Sequence, residues 1–270
     1  MRSSHLPRPL GSTRRSILKL LTASSMVMTL SLGLSDHVWA AESVKVGIMS
    51  GEDEEVWKVV TAEAAKNGLD VQTVVFSDYV QPNEALVNGE IQANAFQHEP
   101  YLDSVLADHQ GDATYDFVSA GGVHVEPIGI YSKRFKSLRD LPQNGRVILR
   151  DSVAEEGRIL AIFAREGVVK LREGVEPVAV RISDITENPK NLEFLPNIEA
   201  ALLPQVYAND EGDAVVINAN YALDAGLDPT SDPVAVESAE NNPYANLVVV
   251  RAENRDRPEV KALVEVLQSE

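Results

Sequence analysis

The chain has 270 residues, no cysteine, and a formal net charge of −17 from 24 Lys+Arg against 41 Asp+Glu. That length, with 44% hydrophobic residues, supports one large or two ordinary domains around a real core. The missing cysteine excludes disulfides, thiolate metal sites and a cysteine nucleophile, and the acidity argues against nucleic acid and anionic membrane surfaces.

Charge is unevenly spread. Residues 1–40 carry Arg2, Arg8, Arg14, Arg15 and Lys19 against Asp36 alone, a balance of +4, and the remaining 230 residues carry −21. An uncharged stretch from Leu20 to Leu34 follows, closing on small residues near Ala40-Ala41. A basic start, a short apolar run and a small-residue end describe a signal peptide over 1–40. The run falls short of the roughly 20 residues a membrane helix needs, although an uncleaved anchor stays open. Thr13-Arg14-Arg15-Ser16-Ile17-Leu18-Lys19 resembles a twin-arginine export signal, with an ordinary Sec signal as the alternative.

Beyond residue 41, β-rich runs alternate with helical periodicity, which predicts an α/β fold with largely parallel sheets. Val44–Met49 reads as a buried strand. Residues 52–66 read as a helix with Val56, Val59, Val60 and Ala64 on its inner face and acids outside. Strands follow at Asp70–Phe76, Ile91–Phe96, Pro127–Ser132, Arg146–Leu149, Asp213–Ile217 and Asn246–Arg251. Helices follow at Tyr79–Asn88, Glu99–Asp108 and Gly157–Arg165, and Val260, Leu263, Val264 and Leu267 mark a last one. Breaks at Gly121-Gly122 and in the loop Ser231–Tyr244 suggest two lobes with a cleft, a favoured ligand site in α/β proteins. The expected division is 41–126 for lobe 1, 127–248 for lobe 2, and 249–270 returning to lobe 1.

Several runs together are identifiable. Phe76-Ser77-Asp78-Tyr79-Val80-Gln81-Pro82-Asn83-Glu84-Ala85-Leu86 is followed by Asn94-Ala95-Phe96-Gln97-His98-Glu99-Pro100-Tyr101-Leu102. Glu126-Pro127-Ile128-Gly129-Ile130-Tyr131, Glu187-Asn188-Pro189-Lys190-Asn191-Leu192, Val216-Ile217-Asn218-Ala219-Asn220-Tyr221 and Pro243-Tyr244-Ala245-Asn246-Leu247 continue in order. Across nearly the whole chain after residue 41, these runs resemble the methionine-binding, NlpA-type substrate-binding proteins of ABC importers. The resemblance implies a two-lobed periplasmic-binding-protein fold of type II-like form, closing on a free amino acid that it hands to a membrane permease. It implies no enzymatic activity, no cofactor and a monomer.

A free amino acid needs donors for its carboxylate, acceptors for its ammonium and a pocket for its side chain. Arg158, after Gly157 at the predicted start of a helix, suits the carboxylate by charge and by helix field. The resemblance adds Asn218 and Asn246 as contacts to the amino-acid backbone. It makes Tyr79, Phe96, His98 and Tyr101 an aromatic wall suited to a thioether, and Glu126 is a plausible acceptor for the ammonium. Each has a plainer reading: a surface ion pair for Arg158, core for the aromatics, a structural histidine, turn asparagines.

One departure stands out. The family usually reads Asn-Asp-Pro-Thr-Asn-x-Gly-Arg before its ligand-binding helix, whereas this chain reads Asp151-Ser152-Val153-Ala154-Glu155-Glu156-Gly157-Arg158. Glu155 stands three residues before Arg158, where it would either compete with a ligand carboxylate or help hold an ammonium. Two further departures set expectations. Without a cysteine the chain is expected to be periplasmic or secreted and not lipid-anchored, and a C-terminus at Glu270, short for the family, is expected to lower stability. A metal receptor using Glu126 with two of His98, His109 and His124 is the alternative. A secreted hydrolase is less favoured, since neither Gly-x-Ser-x-Gly nor His-Glu-x-x-His occurs.

Overall fold

The computed structural model describes residues 42–240 and 242–269. The expected export segment, and with it the twin-arginine motif, lies outside the described residues. In chain order the elements are β1 (Glu42–Met49), α1 (Glu52–Lys66), β2 (Leu69–Phe76), α2 (Gln81–Val87), β3 (Ala93–His98), α3 (Glu99–Asp108) and β4 (Phe117–Val125). Then come β5 (Ile128–Tyr131), β6 (Arg146–Arg150), α4 (Val153–Arg165), β7 (Lys170–Leu171), β8 (Ile185–Glu187), β9 (Glu193–Ile198) and α5 (Leu203–Ala208). The chain closes with β10 (Ala214–Asn218), α6 (Ala219–Asp224), β11 (Ala235–Val236), β12 (Ala245–Arg251) and α7 (Pro258–Leu267).

Two five-stranded sheets carry the fold, one ordered β2-β1-β3-β12-β4 and the other β11-β5-β10-β6-β9. Each mixes parallel and antiparallel pairs, for β12 runs antiparallel to β3 and β4, and β10 antiparallel to β5 but parallel to β6. The α/β architecture with two lobes is thus present. The second crossing lies upstream of the expected residue 248. From Ala245 onward β12 already pairs with β4, and Asn246 sits opposite His98.

Each sheet buries its own core. Val44, Val46, Ile48, Val248 and Val250 pack with Trp57, Val60 and Ala64 of α1 and Val260 and Leu263 of α7. Ile130, Val147, Leu149 and Val216 pack with Ile159, Ile162 and Phe163 of α4. Another cluster joins the lobes, combining Met49, Tyr79 and Phe96 with Ile148, Leu203, Val215, Ile217 and Tyr221. Hydrogen bonds reinforce that junction, from Tyr79 Oη to Asn220 Oδ1 (2.7 Å) and from Ser50 Oγ to Asp224 Oδ2 (2.8 Å).

Three local expectations change. The inner face of α1 is Trp57, Val60 and Ala64, while Val56 and Val59 are 39% and 64% exposed. The acids are not all outward either, because Asp53 is buried. Gly121-Gly122 is no break but the middle of β4, a strand irregular enough to shift register twice against β12. A Cβ on Gly121 would come within 2.7 Å of Val264 Cγ1, so the glycine lets α7 lie close on the sheet.

Candidate ligand-binding site

All nine expected residues line one cleft between the lobes, which their own side chains nearly fill. Phe96 and His98 end β3, and Tyr79 and Tyr101 flank it on the loop before α2 and on the first turn of α3. Glu126 sits in the crossing between β4 and β5. Glu155 and Arg158 come from α4, Asn218 ends β10, and Asn246 opens the returning β12.

A buried amide network fixes this end of β3. Asn83 Oδ1 accepts from Asn94 Nδ2 (2.9 Å) and Gln97 Nε2 (2.8 Å), and Gln97 also donates to Asn94 Oδ1 (2.9 Å). The amides in Pro82-Asn83 and Asn94-Ala95-Phe96-Gln97-His98 therefore satisfy one another, which leaves His98 held toward the cleft. His98 Nδ1 accepts from the Tyr101 amide at 3.2 Å, so its Nε2 carries the proton and donates to Glu155 Oε1 at 3.0 Å.

Glu155 is the electrostatic centre. It is fully enclosed, with Arg150 Nη1 at 3.4 Å and Arg158 Nη1 at 3.5 Å on its two oxygens. Burial pushes its carboxyl up, but Arg158, the His98 hydrogen bond and Arg150 together outweigh that and hold it well below the usual carboxylate range. Burial likewise works against the charge of both guanidinia, and Glu155 first among their partners more than offsets it.

Arg158 differs from expectation in two ways. Helix α4 starts at Val153, four residues earlier than periodicity suggests, so Arg158 sits in its second turn and gains no N-terminal field. Glu155 takes the favourable first-turn place instead. Arg158 is also already engaged. Its Nε lies 3.0 Å and 3.1 Å from the Glu237 oxygens, and Nη2 donates to Glu237 Oε2 and, at 2.9 Å, to the Glu126 carbonyl. Only Nη1 faces the cleft and Glu155.

The aromatic wall is also modified. Arg150 lays its guanidinium over Tyr79 and Tyr101, 4.8 and 5.2 Å from their ring centroids, where a thioether was expected to lie. Tyr79 and Phe96 stack at 6.0 Å, and Tyr101 Oη donates to the Tyr79 carbonyl at 3.0 Å. Arg150, Gln97 and Ala219 line the cleft without having been singled out. The signal for Arg150 was a charge closing an apolar strand just before a helix start, the strand end that points into such clefts.

Of the three histidines only His124 meets Glu126, not the expected two. His98 pairs with Glu155, His109 stacks on Tyr115 at 3.6 Å, and His124 bonds Glu126 at 3.0 Å. Asp53 joins His124 and Glu126 instead, and burial first, then the Glu126 charge, pushes its carboxyl up to about 7.

Residues 44–270 match the model of the NlpA lipoprotein family. The chain belongs to that family. It is 45% identical over 215 residues to the methionine-binding lipoprotein MetQ of Bacillus subtilis, covering 80% of this chain and 77% of the relative. It is 41% identical over 228 residues to the D-methionine-binding lipoprotein MetQ of Escherichia coli K12, covering 84% and 82%. A nutrient-binding protein from Burkholderia cenocepacia, solved bound to methionine, superposes on this NlpA-family chain with a TM-score of 0.74 at 46% identity, covering 84% and 92%. The relatives are named as binding proteins, not enzymes. They also correct the expectation of an unanchored, soluble receptor. The family and these MetQ relatives are named lipoproteins, which overturns the expectation of a chain that is not lipid-anchored.

Proposed function

We propose that this chain is an extracytoplasmic receptor that captures free methionine between its lobes and delivers it to an ABC importer. The relative solved with methionine, at 46% identity over most of this chain, carries the reading. The cleft chemistry agrees with it. A ligand carboxylate would displace Glu155 from the Nη1 atoms of Arg150 and Arg158, and the ammonium would rest against Glu126. Asn218 and Asn246 supply neutral polar contacts, while Phe96, Tyr79 and Tyr101 supply ring edges for the thioether. Because these groups come from both lobes, ligand binding favours the closed form, which a permease can distinguish from the open one. The receptor works as a monomer, and its acidity leaves nucleic acid out.

Thermal-shift screening of the purified protein against the twenty amino acids and D-methionine tests this. Methionine is expected to raise the melting temperature more than any other amino acid tested. No shift with any amino acid would overturn the reading.

A further inference from the structure

Asp53 is the second residue of α1 and only 3% exposed. Its Oδ2 accepts from the Met49 amide at 3.1 Å, and no Lys or Arg among the described residues forms an ion pair with it. Buried carboxylates are ordinarily paired with a cation or coordinate a metal. Facing it are His124, near the end of β4, and Glu126, just past that end in the crossing to β5. One ligand atom from each of the three lies within 4.8 Å of the others. His124 Nε2 and Glu126 Oε1 are 3.0 Å apart, a spacing that suits a histidine–glutamate hydrogen bond. Tetrahedral zinc bonds of about 2.0–2.2 Å place two neighbouring ligands about 3.4 Å apart, so the pair need part by only a few tenths of an ångström to share one ion.

We propose that Asp53, His124 and Glu126 form a binding site for a divalent transition-metal ion of the zinc class. One imidazole and two carboxylates suit such an ion better than calcium or magnesium, which prefer oxygen donors alone. Three protein ligands leave a fourth position for water, and the Asp53 side must close by about an ångström to complete the set. The position gives the ion a consequence. Glu126 lies in the first crossing between lobes and also lines the amino-acid cleft, so the ion ties α1 to the crossing and removes an acceptor from the ligand. This coupling rests on the amino-acid reading above, whereas the metal site itself does not. Linkage makes the effect mutual: zinc weakens amino-acid binding by the same factor that the amino acid weakens zinc binding.

Titration of chelator-treated full-length protein with zinc chloride against a chromophoric chelator, without amino acid, is the test. One zinc per chain is expected. Asp53→Asn and His124→Gln should each weaken binding at least tenfold, while His109→Ala leaves it unchanged. Circular dichroism confirms that each variant is folded, and Glu126→Gln serves in place of one that is not. Absence of zinc binding in the wild type, or equal affinity in the folded variants, would overturn the site. A second titration with methionine in the presence of zinc reads the coupling, and unchanged methionine affinity would overturn that part alone.

Discussion

Glu155 holds a place where the family usually has a neutral asparagine, and it brings a charge to the middle of two buried guanidinia. It offers Arg150 and Arg158 internally what a ligand carboxylate would offer from outside. Replacing it with Asn removes that competitor, so Glu155→Asn is expected to tighten methionine binding by about tenfold, about 1.4 kcal/mol, measured by calorimetry. Unchanged or weaker binding would mean that Glu155 serves the ammonium instead. Glu155→Ala strands Arg150, whose ion pair among the described residues is with Glu155, and should cost about 3–5 kcal/mol of stability at neutral pH by chemical denaturation. The folded-state carboxyl lies below its unfolded value, so its contribution is complete above the usual carboxylate range. It fades as pH falls toward the depressed value, and the gap between wild type and variant should therefore narrow in strong acid. A gap that widens toward acid would contradict the pairing.

Among elements, the apolar strands were readable because a buried run carries its own signal, as Val44–Met49 and Val215–Ile217 show. Strand β4 was not, since Gly121 is there for the approach of Val264, a contact from a helix more than a hundred residues later. Strand β9 was missed because Glu193–Ile198 contains Pro196 and is only partly buried. The start of α4 at Val153 leaves no sequence mark, because neither Pro nor Thr stands there. Gly157, the start that periodicity suggests, has another reason to be glycine. A Cβ there would meet the Pro177 carbonyl at 2.3 Å and Tyr244 Oη at 2.8 Å, and the carbonyl is backbone that cannot swing aside. Gly157→Ala is expected to destabilise the protein by about 1–3 kcal/mol through overpacking, despite the better helix propensity of alanine. A stabilised variant in thermal melts would show that the turn at Pro177–Ala179 can yield. Asn83→Leu should cost about 1–3 kcal/mol, because it leaves Asn94 and Gln97 without their shared acceptor.

For the molecule as a whole, the nine residues that sequence order suggested come together only because β3, α4, β10 and β12 converge between two sheets. What sequence could not give was which partners they would already have. Glu237 lies 79 residues from Arg158, and Arg150 reaches Tyr79 across the cleft, so neither contact leaves a local pattern. The strongly acidic body makes the two buried arginines the local exception that an amino-acid carboxylate requires, and Glu155 sets how readily they are released. The central claim is that this cleft binds methionine, and direct calorimetric titration of the full-length protein with L- and D-methionine tests it. The account predicts one site per chain with micromolar affinity or tighter, about −8 kcal/mol or stronger. No saturable binding of either enantiomer at millimolar concentration would contradict it.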